Sequence, residues 1–267
     1  MNLDLSEQVV LGIFAHPDDE SIAAGGLLAW TAALGARVVV LSLTHGEQGG
    51  SIDPDAPAGS FALGELRSRE LEAAGEALGL HDIRLLTHPD GMLPWVNAAT
   101  LEQDVRRVIE EIRARVVVTF DEDGLYWHPD HVATHERVTT AVAAMGADAP
   151  ALYYASTPAG AMRAVMNMAL DRTEPGAQPP RTILGVDNPD AFGLLAPNPT
   201  HVLDTSEFAR RKYKALRCHR SQQRTCALPH ISEEDTPRLL GIEHYRLAPL
   251  GTLRATFLDR LRLTHSR

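Results

Sequence analysis

A chain of 267 residues, 44% hydrophobic and 22% charged, has the makeup of a soluble globular protein with room for a sizeable core. Its formal net charge of −10 argues against a general nucleic-acid binder and against docking on anionic membranes, and no apolar run approaches the length of a bilayer span. Cys218 and Cys226 lack the C-x-x-C spacing of a redox or zinc pair, so two reduced thiols are expected; Met1 to Glu7 carries no leader-like pattern, which predicts a cytoplasmic protein.

The first element is a short β-rich run, Val9 to Phe14, followed by the polar turn Ala15-His16-Pro17-Asp18-Asp19-Glu20 and an amphipathic helix over Ile22 to Leu34. Gly25 and Gly26 interrupt that helix and suit close packing on a sheet, while Gly35 fits its C′ position. Arg37 to Thr44 reads as a second strand buried on both faces. A loop rich in Gly, Pro and Asp follows from His45 to about Gly59, and a helix then runs from Leu63 to Leu78 with Gly79 as its stop. Ile83 to Leu86 is a third strand. Asn97 is a good N-cap for a helix whose apolar stripe is Leu101, Val105, Val108, Ile109 and Ile112.

Val116 to Phe120 is a further buried strand, ending in Asp121-Glu122-Asp123-Gly124; beyond it lie Tyr126-Trp127-His128-Pro129-Asp130-His131 and a helix from Val132 to about Met145. Strand and helix alternate across residues 9–145, which predicts an α/β fold with right-handed crossovers in a mostly parallel sheet. The second half is less regular, with a strand at Ala151 to Ser156 and a Met-bearing helix at Met162 to Met168 that reads as core filling rather than a lid. Pro-rich loops follow, then a capping box at Asp204 and Glu207 opening a helix through Leu216, and a strand and last helix within Ile242 to Leu263. One domain over 1–267 is expected, with a βαβ core at 1–146 and a second part, 147–267, completing a crevice. Exposed Met and Leu segments permit a homo-oligomer.

Chemistry concentrates in the two polar turns. Each follows a strand, so both belong at the carboxyl edge of the sheet, where open α/β folds bind ligands. His16 and Asp19 are spaced to hold one metal ion, leaving Asp18 free as a base, and His131 supplies a third ligand. Three protein ligands with an open position suit catalytic zinc, and two histidines with one carboxylate also suit ferrous iron.

The sequences AHPDDE (Ala15 to Glu20) and HPDH (His128 to His131) resemble the paired signatures of the PIG-L/LmbE-like zinc deacetylases, which remove acetyl groups from N-acetylglucosaminyl conjugates. Glu47, the R-x-x-E-L helix with Arg67 and Glu70, Asp90-Gly91 and the H-x-S-Q run at His219 to Gln222 extend the resemblance. It implies a Rossmann-like three-layer fold, zinc bound by His16, Asp19 and His131, and Asp18 as general base. It further implies oxyanion donors from His128 and Tyr126, Asp130 orienting the His128 ring, and substrate contacts from Glu47, Arg67 and Asp90. Arg67 and Glu70 also read simply as an i,i+3 surface pair. Trp127 stands where relatives commonly carry small residues and is expected to narrow the crevice. Two other readings fit the same residues: an amidase cleaving a glucosaminyl thiol conjugate, and a catalytically idle metal- or sugar-binding module. A ferrous oxygenase is a further, remote one.

Overall fold

The computed structural model describes residues 3–49, 59–223, 225–250 and 255–261. Seven strands form one sheet: β1 (Val9–Phe14), β2 (Arg37–Ser42), β3 (Asp82–Leu85), β4 (Val116–Phe120), β5 (Ala151–Ser156), β6 (His201–Asp204) and β7 (Ile242–Leu247). Their order is β3-β2-β1-β4-β5-β7-β6. The first five pair in parallel, and β7 runs antiparallel between β5 and β6. The chain winds outward from β1 through β2 to β3, then returns to lay β4 against the other side of β1. The loops after β1 and β4 are therefore neighbours at the carboxyl edge, the switch point where such sheets open a crevice.

Central strands buried on both faces are nearly all apolar, and β4 follows this with Val116, Val117, Val118 and Phe120; its one polar residue, Thr119, donates its hydroxyl to the Ile13 carbonyl at 2.8 Å. Helices α1 (Asp19–Ala33) and α2 (Ser60–Leu78) cover one face and α3 (Ala98–Ile112) and α4 (Pro129–Ala143) the other, with β1 and β4 between them. The predicted stripe of α3 is buried at all five positions, and Asn97 caps the helix by accepting from Thr100 N at 3.1 Å. Gly35 and Gly79 close α1 and α2 with φ of 92° and 82°.

α1 departs from the expected amphipathic pattern: nearly all of it is buried, because α6 (Ala209–Leu216) packs over its outer side. The close approach made by Gly26 is chiefly to β7 and the turn at Thr205: Glu243 accepts from the amides of Gly26 and Leu27, both at 2.8 Å. A Cβ at Gly26 would stand 2.3 Å from Thr205 Oγ1. Lys212 of α6 meets the same carboxylate at 2.7 Å, so α1 is clamped from two sides.

Further corrections fall mainly in the second half. α4 begins at Pro129 rather than Val132, because His128 serves as N-cap and proline suits the first helical position. β6 was not expected; it is four residues long and follows a Pro-rich loop. The capping box is instead a local turn in which Asp204 accepts from Ser206 N at 3.0 Å, and a 3-10 turn precedes α6. The Met-bearing helix, α5 (Ala161–Asp171), buries Met162, Val165 and Met166, in keeping with core filling. Both cysteines are free. Most of the loop after β2 and the end of the last helix lie outside the described residues. Among the described residues no helix is long and apolar enough to cross a membrane.

Candidate metal centre and active site

His16 lies in the turn after β1, and Asp19 opens α1 three residues on. His131 sits in the first turn of α4, with its ring stacked on Phe120 at 4.1 Å between centroids and 5° between planes. The three converge. His16 Nδ1 lies 3.2 Å from His131 Nε2 and 3.3 Å from Asp19 Oδ2, while His131 Nε2 is 3.1 Å from Asp19 Oδ1. All three side chains are buried.

The outer nitrogens decide what the inner ones do. His131 Nδ1 faces the carbonyl of Gly124 at 3.0 Å, an acceptor only, so that nitrogen carries the proton. His16 Nε2 faces Asp90 Oδ1 at 3.0 Å and Asp130 Oδ2 at 3.2 Å, so it too is a donor. Each ring then turns a lone pair inward, toward the other ring and a carboxylate, an arrangement that needs positive charge among the three. Ligand atoms on a tetrahedral ion at about 2.0–2.1 Å stand roughly 3.3 Å apart, close to the spacings here. The donor set fits a divalent cation, and His128 brings a third ring nitrogen within 4.8 Å of those of His16 and His131.

The same logic shows in the protonation equilibria. Burial alone would depress the His16 pKa, yet Asp130, Asp19 and Asp90 outweigh it and hold it well above the usual range. Burial would raise Asp19, but His131 and His16 pull it well below the ordinary carboxylate value.

Asp18 is not drawn into this triangle. Its Oδ2 is 3.2 Å from an Arg67 nitrogen, and burial pushes its carboxyl up to about 6, with Arg67 opposing. The residue has φ 117°, a conformation that L-residues tolerate only when their surroundings impose it. Here Glu20 Oε2 accepts the Asp18 amide at 2.9 Å, and Arg67 grips the Pro17 carbonyl at 2.6 Å and that of Gly46 at 2.8 Å.

His128 Nδ1 accepts the amide of Asp130 at 3.2 Å, which leaves Nε2–H as the donor of its neutral ring. Burial and the neighbouring His131 and His16 push its pKa down to about 4. The expected contact between the Asp130 carboxylate and this ring does not form. Asp130 instead accepts from Gly91 N and Leu93 N, at 2.8 and 3.0 Å, and faces His16. The half-buried Tyr126 lies against His131, His128 and Phe192, and burial with Asp19 and Asp18 nearby pushes its hydroxyl pKa well up.

These groups border a crevice of about 420 Å³ lined by His16, Asp18, Arg67, Asp90, Tyr126 and His128 among others. Arg67 and Asp90 thus reach it. Glu47 does not belong to the lining; its Oε1 braces the Asp90 amide at 2.9 Å. Arg67 and Glu70 are buried rather than a surface pair, and Glu70 accepts from Ser221 N and Oγ, at 2.8 and 2.7 Å. Trp127 is half-exposed with φ 66° and does not border the crevice. From the second half, Gln222 of the H-x-S-Q run borders it, together with Leu184, Gly185 and Val186, which carry no motif. Glu20 and His219, paired at 2.9 Å behind Asp18, had only their places in the AHPDDE and H-x-S-Q runs to mark them.

Fold and site together define an α/β protein with a buried two-histidine, one-carboxylate centre and a separate carboxylate beside it. The sequence matches the GlcNAc-PI de-N-acetylase (PIG-L) family over residues 11–142. It is 32% identical over 266 residues to 1D-myo-inositol 2-acetamido-2-deoxy-α-D-glucopyranoside deacetylase of Acidothermus cellulolyticus, covering 89% of this chain and 88% of that one. Likeness to the deacetylase of the same name from Streptomyces scabiei is 34% over 275 residues, covering 89% and 84%. The chain belongs to the PIG-L family. Among solved structures, N,N'-diacetylchitobiose deacetylase from Pyrococcus horikoshii shares the fold with a TM-score of 0.63 at 20% identity, covering 91% of this chain and 84% of that one. The 4-carboxy-2-hydroxymuconate hydratase GalB of Pseudomonas putida does so with 0.64 at 17%, covering 93% and 100%. One fold thus serves a hydrolase and a hydratase, and the reaction has to be argued from the site.

Proposed function

We propose that this chain is a metal-dependent N-deacetylase acting on an N-acetylglucosaminyl conjugate, with the N-acetylglucosaminyl-inositol of its relatives as the first substrate to test. The observation that carries the reading is the division between neighbours: Asp19 turns toward His16 and His131, while Asp18 is held toward Arg67 and the crevice. A module that only binds has no need of that second carboxylate.

His16, Asp19 and His131 would hold the cation, zinc or ferrous iron, with Asp90, Asp130 and the Gly124 carbonyl fixing the two rings. A divalent ion supplies Lewis acidity, making water acidic near neutral pH and polarising a carbonyl. Asp18 takes the proton that water loses as its oxygen bonds to the acetamide carbon. The Nε2–H of His128 donates to the carbonyl oxygen as negative charge grows there, and the Tyr126 hydroxyl, kept protonated, is a second donor. When the C–N bond breaks, Asp18 returns the proton to the leaving amine, so acetate and a primary amine are released. Arg67 holds Asp18 at its station throughout.

The test is amine release from N-acetylglucosaminyl-inositol and from a panel of other N-acetyl and thiol conjugates, with and without added zinc. Asp18→Asn is expected to keep its cation and lose about 10²–10⁴ in turnover. Full turnover in that variant would end the base assignment.

A further inference from the structure

The crevice has one apolar wall, and its backbone is unusual. Ile183 and Val186 exchange hydrogen bonds at 3.0 and 2.9 Å across a two-residue turn in which Leu184 has φ 48° and Gly185 φ 79°. Such turns place both central residues in the left-handed region, where glycine and asparagine sit readily and leucine does not. The turn does not drift into this state. Its base is tied to a neighbouring segment by Arg181 N and Thr182 N, both donating to the Thr225 carbonyl, and by Ala227 N donating to the Thr182 carbonyl. A strained residue held by rigid surroundings at the mouth of a site points to use of its side chain.

Leu184 lines two spaces. One is the crevice, shared with Asp18 and His128. The other is a small cavity of about 10 Å³ whose wall includes Asp18, His219, Leu216, Cys226 and Leu228. That is the room of a single water-sized group. Asp18 borders both spaces, so an amide carbon attacked by the water it activates lies near their junction, and the carbon beyond the carbonyl must go to one wall or another. Toward Arg67 and Asp90 the lining is charged; toward Leu184 it is apolar.

We propose that the small cavity receives the methyl end of the acyl group and that Leu184 closes it, making Leu184 the residue that selects acetyl over longer acyl chains. The inference rests on the N-deacetylase reading. An acetyl group has one carbon beyond its carbonyl, and the cavity holds one small group. Longer chains meet Leu184, whose position is fixed by the turn.

The test uses the full-length zinc-loaded protein, Leu184→Gly and Leu184→Asn, two residues that the turn accepts without strain. Each is assayed on N-acetyl-, N-propionyl- and N-butyryl-glucosaminyl-inositol, and each is titrated with acetate and butyrate by calorimetry. The wild type should favour acetyl by at least about tenfold, and both variants should reduce that preference by a similar factor, while melting no lower than the wild type. Butyrate should bind the glycine variant about tenfold more tightly than the wild type relative to acetate. Unchanged acyl preference together with unchanged carboxylate discrimination overturns the proposal. Altered carboxylate discrimination in a protein that hydrolyses none of the three conjugates upholds the cavity assignment and overturns the inositol conjugate as the substrate of the deacetylase reading.

Discussion

Gly124 is where one added methyl group should reach the metal centre most directly. It has φ 54°, its carbonyl accepts from His131 Nδ1, and a Cβ built on it would stand 2.7 Å from His131 Cβ and 3.0 Å from Val132 N. Neither neighbour is the free end of a side chain, so the contact must be relieved by moving the start of α4 and the ligand with it. Alanine in the left-handed region costs about 1–2 kcal/mol, and overpacking against backbone about 1–3 kcal/mol more. Gly146 supplies the control, since its φ is 59° and nothing lies within 4 Å of its built Cβ. Gly146→Ala should therefore show the conformational cost alone, and the two variants should differ by about 1–3 kcal/mol. In a chain of this size that separates the melting temperatures by roughly 2–12 °C. Displacing His131 should also weaken cation binding about 10–100-fold, as loss of a supporting partner does, which a chelator competition measures. Equal melting losses, or a Gly124→Ala protein that binds zinc as tightly as Gly146→Ala, would refute this account of how the turn holds His131.

Two other predictions concern groups behind the ligands. Asp130→Asn leaves one oxygen where two served Gly91 N, Leu93 N and His16 Nε2, and its amide offers a donor to some of these donors; zinc affinity should fall about 10–100-fold, and an unchanged dissociation constant would remove Asp130 from the support of His16. The second is a pH dependence. Burial lowers the His219 pKa, but Glu20 at 2.9 Å, with Asp18 beyond, more than offsets it, so the folded protein holds the proton above the ordinary histidine range. A raised folded pKa stabilises the fold fully below the unfolded value of about 6.5 and ceases to do so as pH rises through the folded one. The stability lost in His219→Gln, measured by urea denaturation, should accordingly be larger on the acid side of that window and shrink toward alkaline pH; a constant difference would contradict it.

The parts of this molecule legible in its sequence are those where neighbours in the chain decide the outcome. β1 and β4 read as strands because each is a short, β-rich and almost wholly apolar run between polar turns, and the α3 stripe is read directly from its spacing. That two polar turns meet was legible for the same reason, since each is contiguous and follows a recognisable strand. What escaped depends on contacts between distant residues. The family resemblance sets Asp130 on the His128 ring; in the fold the Asp90–Leu93 loop comes over the site, supplies two amides to that carboxylate and turns it to His16. Arg67 and Glu70 look like an exposed helical pair until α2 is placed beneath the Pro17 carbonyl and Ser221. Leu184 has no pattern at all. Its role follows from backbone torsions and from which cavities it borders, neither of which propensity encodes. The division has a physical basis: metal ligands must be a few residue types in a tight array, which restricts sequence strongly, whereas a wall that selects by size requires only an apolar group at the right place. Recognition of the acyl group is therefore the part of this site that sequence alone reveals least.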